Sequence, residues 1–179
     1  MSVFTNPASA SREQASAYIA AILGLLGERN PKDVLPQTAA ALRERIDGMS
    51  PQQLTRPEAA GKWSVRHVVQ HLADSEVVWG FRLRLVLSQD RPTLTGYDQD
   101  AFADRLGYDE VDAQQALETF GILRRDNLRL VLRASEADLQ RIGMHAERGE
   151  ESVAHMMKLY AGHDILHLNQ IDRIKAAIS

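Results

Sequence analysis

Two histidines stand four residues apart near the C-terminal end of the sequence, His163 and His167 in AGHDILHLNQI (161–171). Read as a helix, the segment puts Met156, Tyr160, His163, His167, Ile174 and Ile178 on one inward row, with Ile171 or Gln170 completing it. Residues four apart differ by about 40° around a helix and about 6 Å along it, so both imidazoles can converge on one point. Neutral imidazoles buried without partners cost roughly 1–3 kcal/mol each. A divalent cation satisfies both at once; carbonyls or acids on other helices are the alternative. A third imidazole comes from KWSVRHVVQHLADSE (62–76), where His71 lies three residues after Val68, at the edge of a buried stripe. Three histidines from two helices, with a fourth position left to water, would make an open catalytic site rather than a closed structural one. Asp74, three residues beyond His71 and on roughly its face, is a candidate supporting carboxylate, whereas Glu76 is rotated away.

The other candidates carry less. His67 has helical spacing to His71 but reads as a solvent-edge histidine, and His155 takes the same reading. His145 reads as a loop histidine, with the mouth of the site as the alternative. Trp63 and Trp79 read as core aromatics. Asp164 is turned about 100° from His163 and is expected to pair with an arginine on a neighbouring helix or to support the site through another residue.

The elements that must position these residues are helical. Apolar stripes run through Ala15, Tyr18, Ile19, Ile22, Leu25 and Leu26; through Leu35, Thr38, Leu42, Ile46 and Met49; from Ser64 to about Leu87; through Ala113, Leu117, Phe120, Leu123, Asn127 and Leu130; and from about Ser152 to Ile178. Capping-box spacing precedes the first at Ser11 and Gln14 and the fourth at Asp112 and Gln115. No alternation persists long enough to predict a strand. SPQQLTR (50–56) echoes SEADLQR (135–141), and each leads through a loop to SVRH (64–67) or SVAH (152–155), which suggests two related helix pairs. Residues 88–110 form the longest weakly patterned segment, expected as a loop across one end of a bundle.

Composition narrows the chemistry. The 179 residues suit one domain over 1–179, with an extra N-terminal helix at about 12–27. Cysteine is absent, so disulfides and thiolate catalysis are excluded and a metal must be held by His, Asp, Glu and water. Lys and Arg number 21 against 24 Asp and Glu, which supplies no net basic field for nucleic acid. The arginines in FRLRL (81–85) and LRRDNLRLVLR (123–133) read as solvated faces or ion pairs. The N-terminus lacks signal-peptide features and the longest apolar run is too short for a bilayer, so a cytoplasmic protein without membrane contact is expected.

GKWSVRHVVQHLADSE followed about 90 residues later by LYAGHDILHLNQI resembles the DinB-like superfamily of bacterial helical-bundle proteins. The resemblance runs from about Tyr18 to Ile174. It implies an all-α, up-down-up-down-type four-helix bundle with an additional N-terminal helix and short helical turns in the connections. It also implies a metal site at His71, His163 and His167, with zinc or nickel as the usual metals, and often a homodimer. Members are described as metal-dependent hydrolases, and some relatives are thiol-dependent S-transferases or isomerases using bacillithiol or mycothiol. The expected function is therefore metal-dependent hydrolysis of a small molecule, with Asp74 in support. The alternatives are transfer to a low-molecular-weight thiol, and a non-catalytic metal-stabilised binding or stress-associated dimer.

Overall fold

A computed structural model describes residues 12–178, with side chains from Ala15. The elements run α1 (Arg12–Leu26), α2 (Pro31–Val34), a 3-10 turn (Leu35–Gln37), α3 (Thr38–Ile46), α4 (Pro51–Thr55), α5 (Val65–Ser88), β1 (Thr93–Leu94), α6 (Gln99–Arg105), α7 (Ala113–Arg133), α8 (Glu136–Leu139), β2 (Ile142–His145), β3 (Gly149–Ser152) and α9 (Val153–Ile178). Ser11 of the Ser11–Gln14 capping pair lies outside the described residues, as does the side chain of Gln14. Asp112 caps α7 by accepting from the Gln114 and Gln115 backbone amides. The echoed segments adopt the same local structure: Ser50 with Gln53 and Ser135 with Asp138 each form a reciprocal capping box that opens a one-turn helix.

Four helices make the bundle. Both α3 and α5 pack against α7 and α9, and α1 lies along α9 as the added helix. Gly162 permits that last contact, because a Cβ there would run into the backbone carbonyl of Ile22. No helix among the described residues is long and apolar enough to cross a membrane.

Residues 89–112 run back along α5 rather than across one end of the bundle. Arg82 donates to the Thr95 carbonyl, Tyr97 meets Ser75 at 3.1 Å, Tyr108 donates to Asp74 at 2.5 Å, and Arg66 reaches the Asp109 carbonyl. This long return sets α7 beside the start of α5, so the two helices run in the same direction rather than alternating up and down as the sequence reading expects, with Arg66 reaching Asp109 and Arg84 reaching Asp126. It also contains β1 and α6, where the sequence suggests only a loop. β1 pairs in parallel with β2, Thr93 opposite Met144, and β2 pairs antiparallel with β3, Gly143 opposite Glu151. Strands of two to four residues are too short to leave the alternation that a sequence reading needs.

The bundle core is divided. One apolar cluster contains Trp79, Leu83, Val86, Leu128, Val131, Met156 and Met157, and the other contains Leu42, Ile46, Val68, Leu72, Leu117, Phe120, Ile171 and Ile174. Between them in sequence on every helix lies a polar layer. Arg124 is 2% exposed and donates to Asp164 through both terminal nitrogens (2.6 and 2.9 Å), to Glu76 (2.8 Å) and to the Leu35 carbonyl (2.9 Å). Thr38 donates to Asp164 at 2.7 Å, and Asn127 donates to both the carbonyl and the carboxylate of Glu76. The layer ties α3, α5, α7 and α9 at one level.

Arg124→Met would leave the Glu76 and Asp164 carboxylates buried without their cation. A loss of about 3–5 kcal/mol is expected, read as a lower midpoint in urea unfolding. An unchanged midpoint would mean that the layer does not set the register of the helices.

Candidate metal centre

The site sits at the level of the polar layer, where α5 faces α9. His71 and His167 are fully buried and His163 is half-buried. His163 Nε2 lies 3.1 Å from His71 Nε2 and 3.1 Å from His167 Nε2. One ligand atom from each of the three lies within 4.8 Å of the others. For comparison, two nitrogens bound to a tetrahedral ion at about 2.0–2.1 Å stand roughly 3.3 Å apart. The helical pair His163 and His167, set on one face by their spacing, thus meets the cross-helix partner His71.

Their surroundings hold the rings neutral. Burial drives the His71 and His163 pKa values well below the ordinary value, and the neighbouring imidazoles push in the same direction. Burial lowers His167 to about 4, against the opposing effects of its bond to Gln170 and the charge of Asp164. His167 Nδ1 lies 2.8 Å from Gln170 Oε1, so the Nδ1 proton is donated to the amide oxygen and the Nε2 lone pair faces the other histidines. Trp63 packs on the His71 ring with centroids 5.0 Å apart. Trp79 is a core aromatic, stacked on Tyr160 at 4.6 Å.

Asp74 is half-buried; its carboxylate accepts from Gln70 at 3.1 Å and Tyr108 at 2.5 Å, which fixes the returning segment rather than a histidine. His67 stays outside the cluster, with Nδ1 2.8 Å from Ser64 Oγ and Nε2 3.2 Å from Asp109. His155 is half-buried at the start of α9. His145 is buried on β2, its Nδ1 accepting from the Glu147 amide. Glu76, rotated away from His71, joins Asp164 on Arg124; burial raises the Glu76 pKa against the pull of that arginine. The sequence reading missed Arg124 by following the row through Leu123. The row spaced four and three from Phe120 runs instead through Arg124, Asn127 and Val131, all buried.

His163 also lines an open pocket together with Tyr18, Ser75, Tyr97, Leu159 and Tyr160. Buried, weakly basic imidazoles beside such a space suit a borderline cation with room for an exchangeable ligand.

Comparison with known proteins matches the sequence model of the DinB superfamily over residues 35–171. The chain belongs to the DinB superfamily. Two Oceanobacillus iheyensis proteins similar to this chain bear the names "Putative metal-dependent hydrolase OB0782" and "Putative metal-dependent hydrolase OB0413". The first is 28% identical over 130 residues, 73% of this chain and 75% of the relative. The second is 31% identical over 134 residues, again 73% and 75%. Among solved structures, YfiT from Bacillus subtilis aligns with a TM-score of 0.77 at 24% identity, covering 95% of this chain and 90% of that one. It is described as "a probable metal-dependent hydrolase with an unusual four-helix bundle topology". At that identity the likeness establishes the shared bundle.

The depressed histidine pKa values fix a pH dependence. The unfolded metal-free chain takes up protons on these histidines below about pH 6.5, while the folded chain resists them. Stability is therefore complete above about 6.5 and lost as pH falls toward about 4, the value for His167. Urea midpoints of chelator-treated protein should decline through this window, by up to about 1.4 kcal/mol per pH unit for each histidine. His167→Gln should flatten the decline, and a wild-type midpoint that stays constant from pH 6.5 to 4 would contradict the burial described.

Proposed function

We propose that His71, His163 and His167 hold a divalent cation, zinc or nickel, and that the chain is a metal-dependent hydrolase acting on a small molecule. The convergence of three Nε2 atoms, two of them on buried rings, carries this reading, and the names of the similar proteins support its reaction class. Bound there, the cation supplies Lewis-acid activation of water, of a substrate carbonyl or phosphoryl oxygen, or of a thiol.

The chain's own residues do the rest. Gln170 holds His167 in the tautomer that leaves Nε2 free. Trp63 fixes the plane of His71. Tyr160, one turn before His163, lines the pocket, and burial pushes its pKa up, so its hydroxyl remains a proton donor for a substrate oxygen rather than a base. Asp74 is a positioning residue: through Tyr108 it anchors the segment that carries Tyr97 to the pocket wall.

Transfer to a low-molecular-weight thiol is the second chemistry within this reading. The sequence has no cysteine, so any attacking sulfur must arrive with a cosubstrate. The pocket at His163 favours turnover over a purely structural metal, since a closed site needs no such space. Cytoplasmic location and a homodimer belong to the same proposal, the latter supported by exposed Val77 and Phe81 on α5.

Zinc-loaded, nickel-loaded and chelator-treated protein should be compared on ester, amide, phosphoester and thiol-transfer substrates. Metal-dependent turnover is expected on one class, with a loss of about 100-fold or more in His163→Ala. Turnover that survives both chelation and His163→Ala would refute the proposal. Gln170→Ala should weaken metal affinity about 10–100-fold without unfolding the chain, measured by competition with a chromophoric chelator. Unchanged affinity would remove Gln170 from the site.

A further inference from the structure

The pocket beside His163 has polar walls of an unusual kind. Arg82, on α5, is only 5% exposed. It donates to the Thr95 carbonyl, its Nε has no partner, and no carboxylate lies within ion-pair distance of it among the described residues. Gln99, the first residue of α6, is 8% exposed and its amide nitrogen also lacks a partner. Both unpartnered atoms are donors, on side chains that line the same pocket. Tyr18 and Tyr160 add two hydroxyls that burial keeps protonated. The second arginine of the lining, Arg148, is held by both carboxylate oxygens of Glu151. Glu147 is the acid of the lining; its carboxylate lies against Gly96 and acts on Arg148. Arg82 therefore remains the buried cation of the lining with no carboxylate at ion-pair distance among the described residues, although its charge is felt by Glu151.

Such a wall leaves two buried donors, Arg82 Nε and Gln99 Nε2, without an acceptor. Buried guanidinium and amide groups find partners in folded proteins, and a guanidinium fork matches the paired oxygens of a carboxylate or phosphate. We propose that this pocket is a subsite for an anionic oxygen group of the substrate, a carboxylate or a phosphate. Arg82 receives it, with Gln99 and the Tyr18 and Tyr160 hydroxyls as further donors. The subsite itself stands on the pocket; that the reacting bond of the same molecule reaches the histidines rests on the hydrolase reading above.

The test follows the Arg82 Nε–H correlation in ¹⁵N-labelled protein, with and without zinc, during titration with butyrate, methyl phosphate or the neutral butyramide. A saturable shift is expected with one of the anions and none with butyramide, in chelator-treated as well as zinc-loaded protein. Which anion acts more strongly assigns carboxylate or phosphate. By calorimetry, binding of that anion should weaken at least ten-fold in Arg82→Gln and several-fold in Gln99→Leu, so the second variant still decides if the first fails to fold. No saturable shift with either anion, an equal response to butyramide, or anion binding that needs zinc and survives Arg82→Gln would overturn the subsite. Zinc content is measured on the same samples. A chain that binds the anion but no zinc would sink the metal reading alone, and one that binds zinc but no anion would sink the subsite alone.

Discussion

One buried guanidinium fixes the level at which the four bundle helices meet. Arg124 on α7 is bonded to Asp164 on α9, to Glu76 on α5 and to the carbonyl of Leu35 just before α3. Two carboxylates against one cation leave the layer short of positive charge, and burial would be prohibitive without the added donors of Thr38 and Asn127. Apolar packing above and below tolerates sliding, because one aliphatic side chain substitutes for another at modest cost. Directional bonds in a dry interior do not. His71 lies five residues before Glu76, and His163 immediately precedes Asp164. The layer that sets the register of α5 against α9 thereby brings the three imidazoles to one point.

The second constraint is the return of the chain along α5. Because residues 89–112 retrace that helix, Tyr97 and Gln99 are delivered to the same pocket as Arg82 and His163. The β2–β3 hairpin contributes Glu147 and Arg148 from the connection between α7 and α9. The long links of the bundle thus build the space beside the histidines, while the helices supply the histidines themselves. A rigid scaffold carrying chemistry at its center, with specificity placed on the connections, follows the usual division between elements and loops.

The helices and the His163–His167 pair were legible in the sequence because both rest on periodicity. His163 and His167 declare a shared face by spacing alone, and the echo at Ser50 and Ser135 declares two capped turns. The superfamily motifs joined His71 to the pair, which spacing could not do across so many residues. Arg124 escaped because a charged residue on an apolar stripe looks like a register error until its acids are seen. Asp164 was expected to find an arginine, but nothing local said which one. The short strands and the direction of the 88–110 segment depend on pairing with distant chain, which leaves almost no local trace. Arg82 and Gln99 belong to the site only through tertiary placement.

The central claim is that the three imidazoles form one metal site, and metal stoichiometry tests it most directly. Tag-free protein incubated with zinc or nickel, freed of excess ion and analysed by elemental mass spectrometry, should retain about one ion per chain, as a single three-histidine site requires. His71→Ala and His163→Ala should each lose it, although the two residues come from different helices. Wild-type protein that retains no ion, or single variants that retain a full complement, would contradict the account and return the histidines to the bundle core.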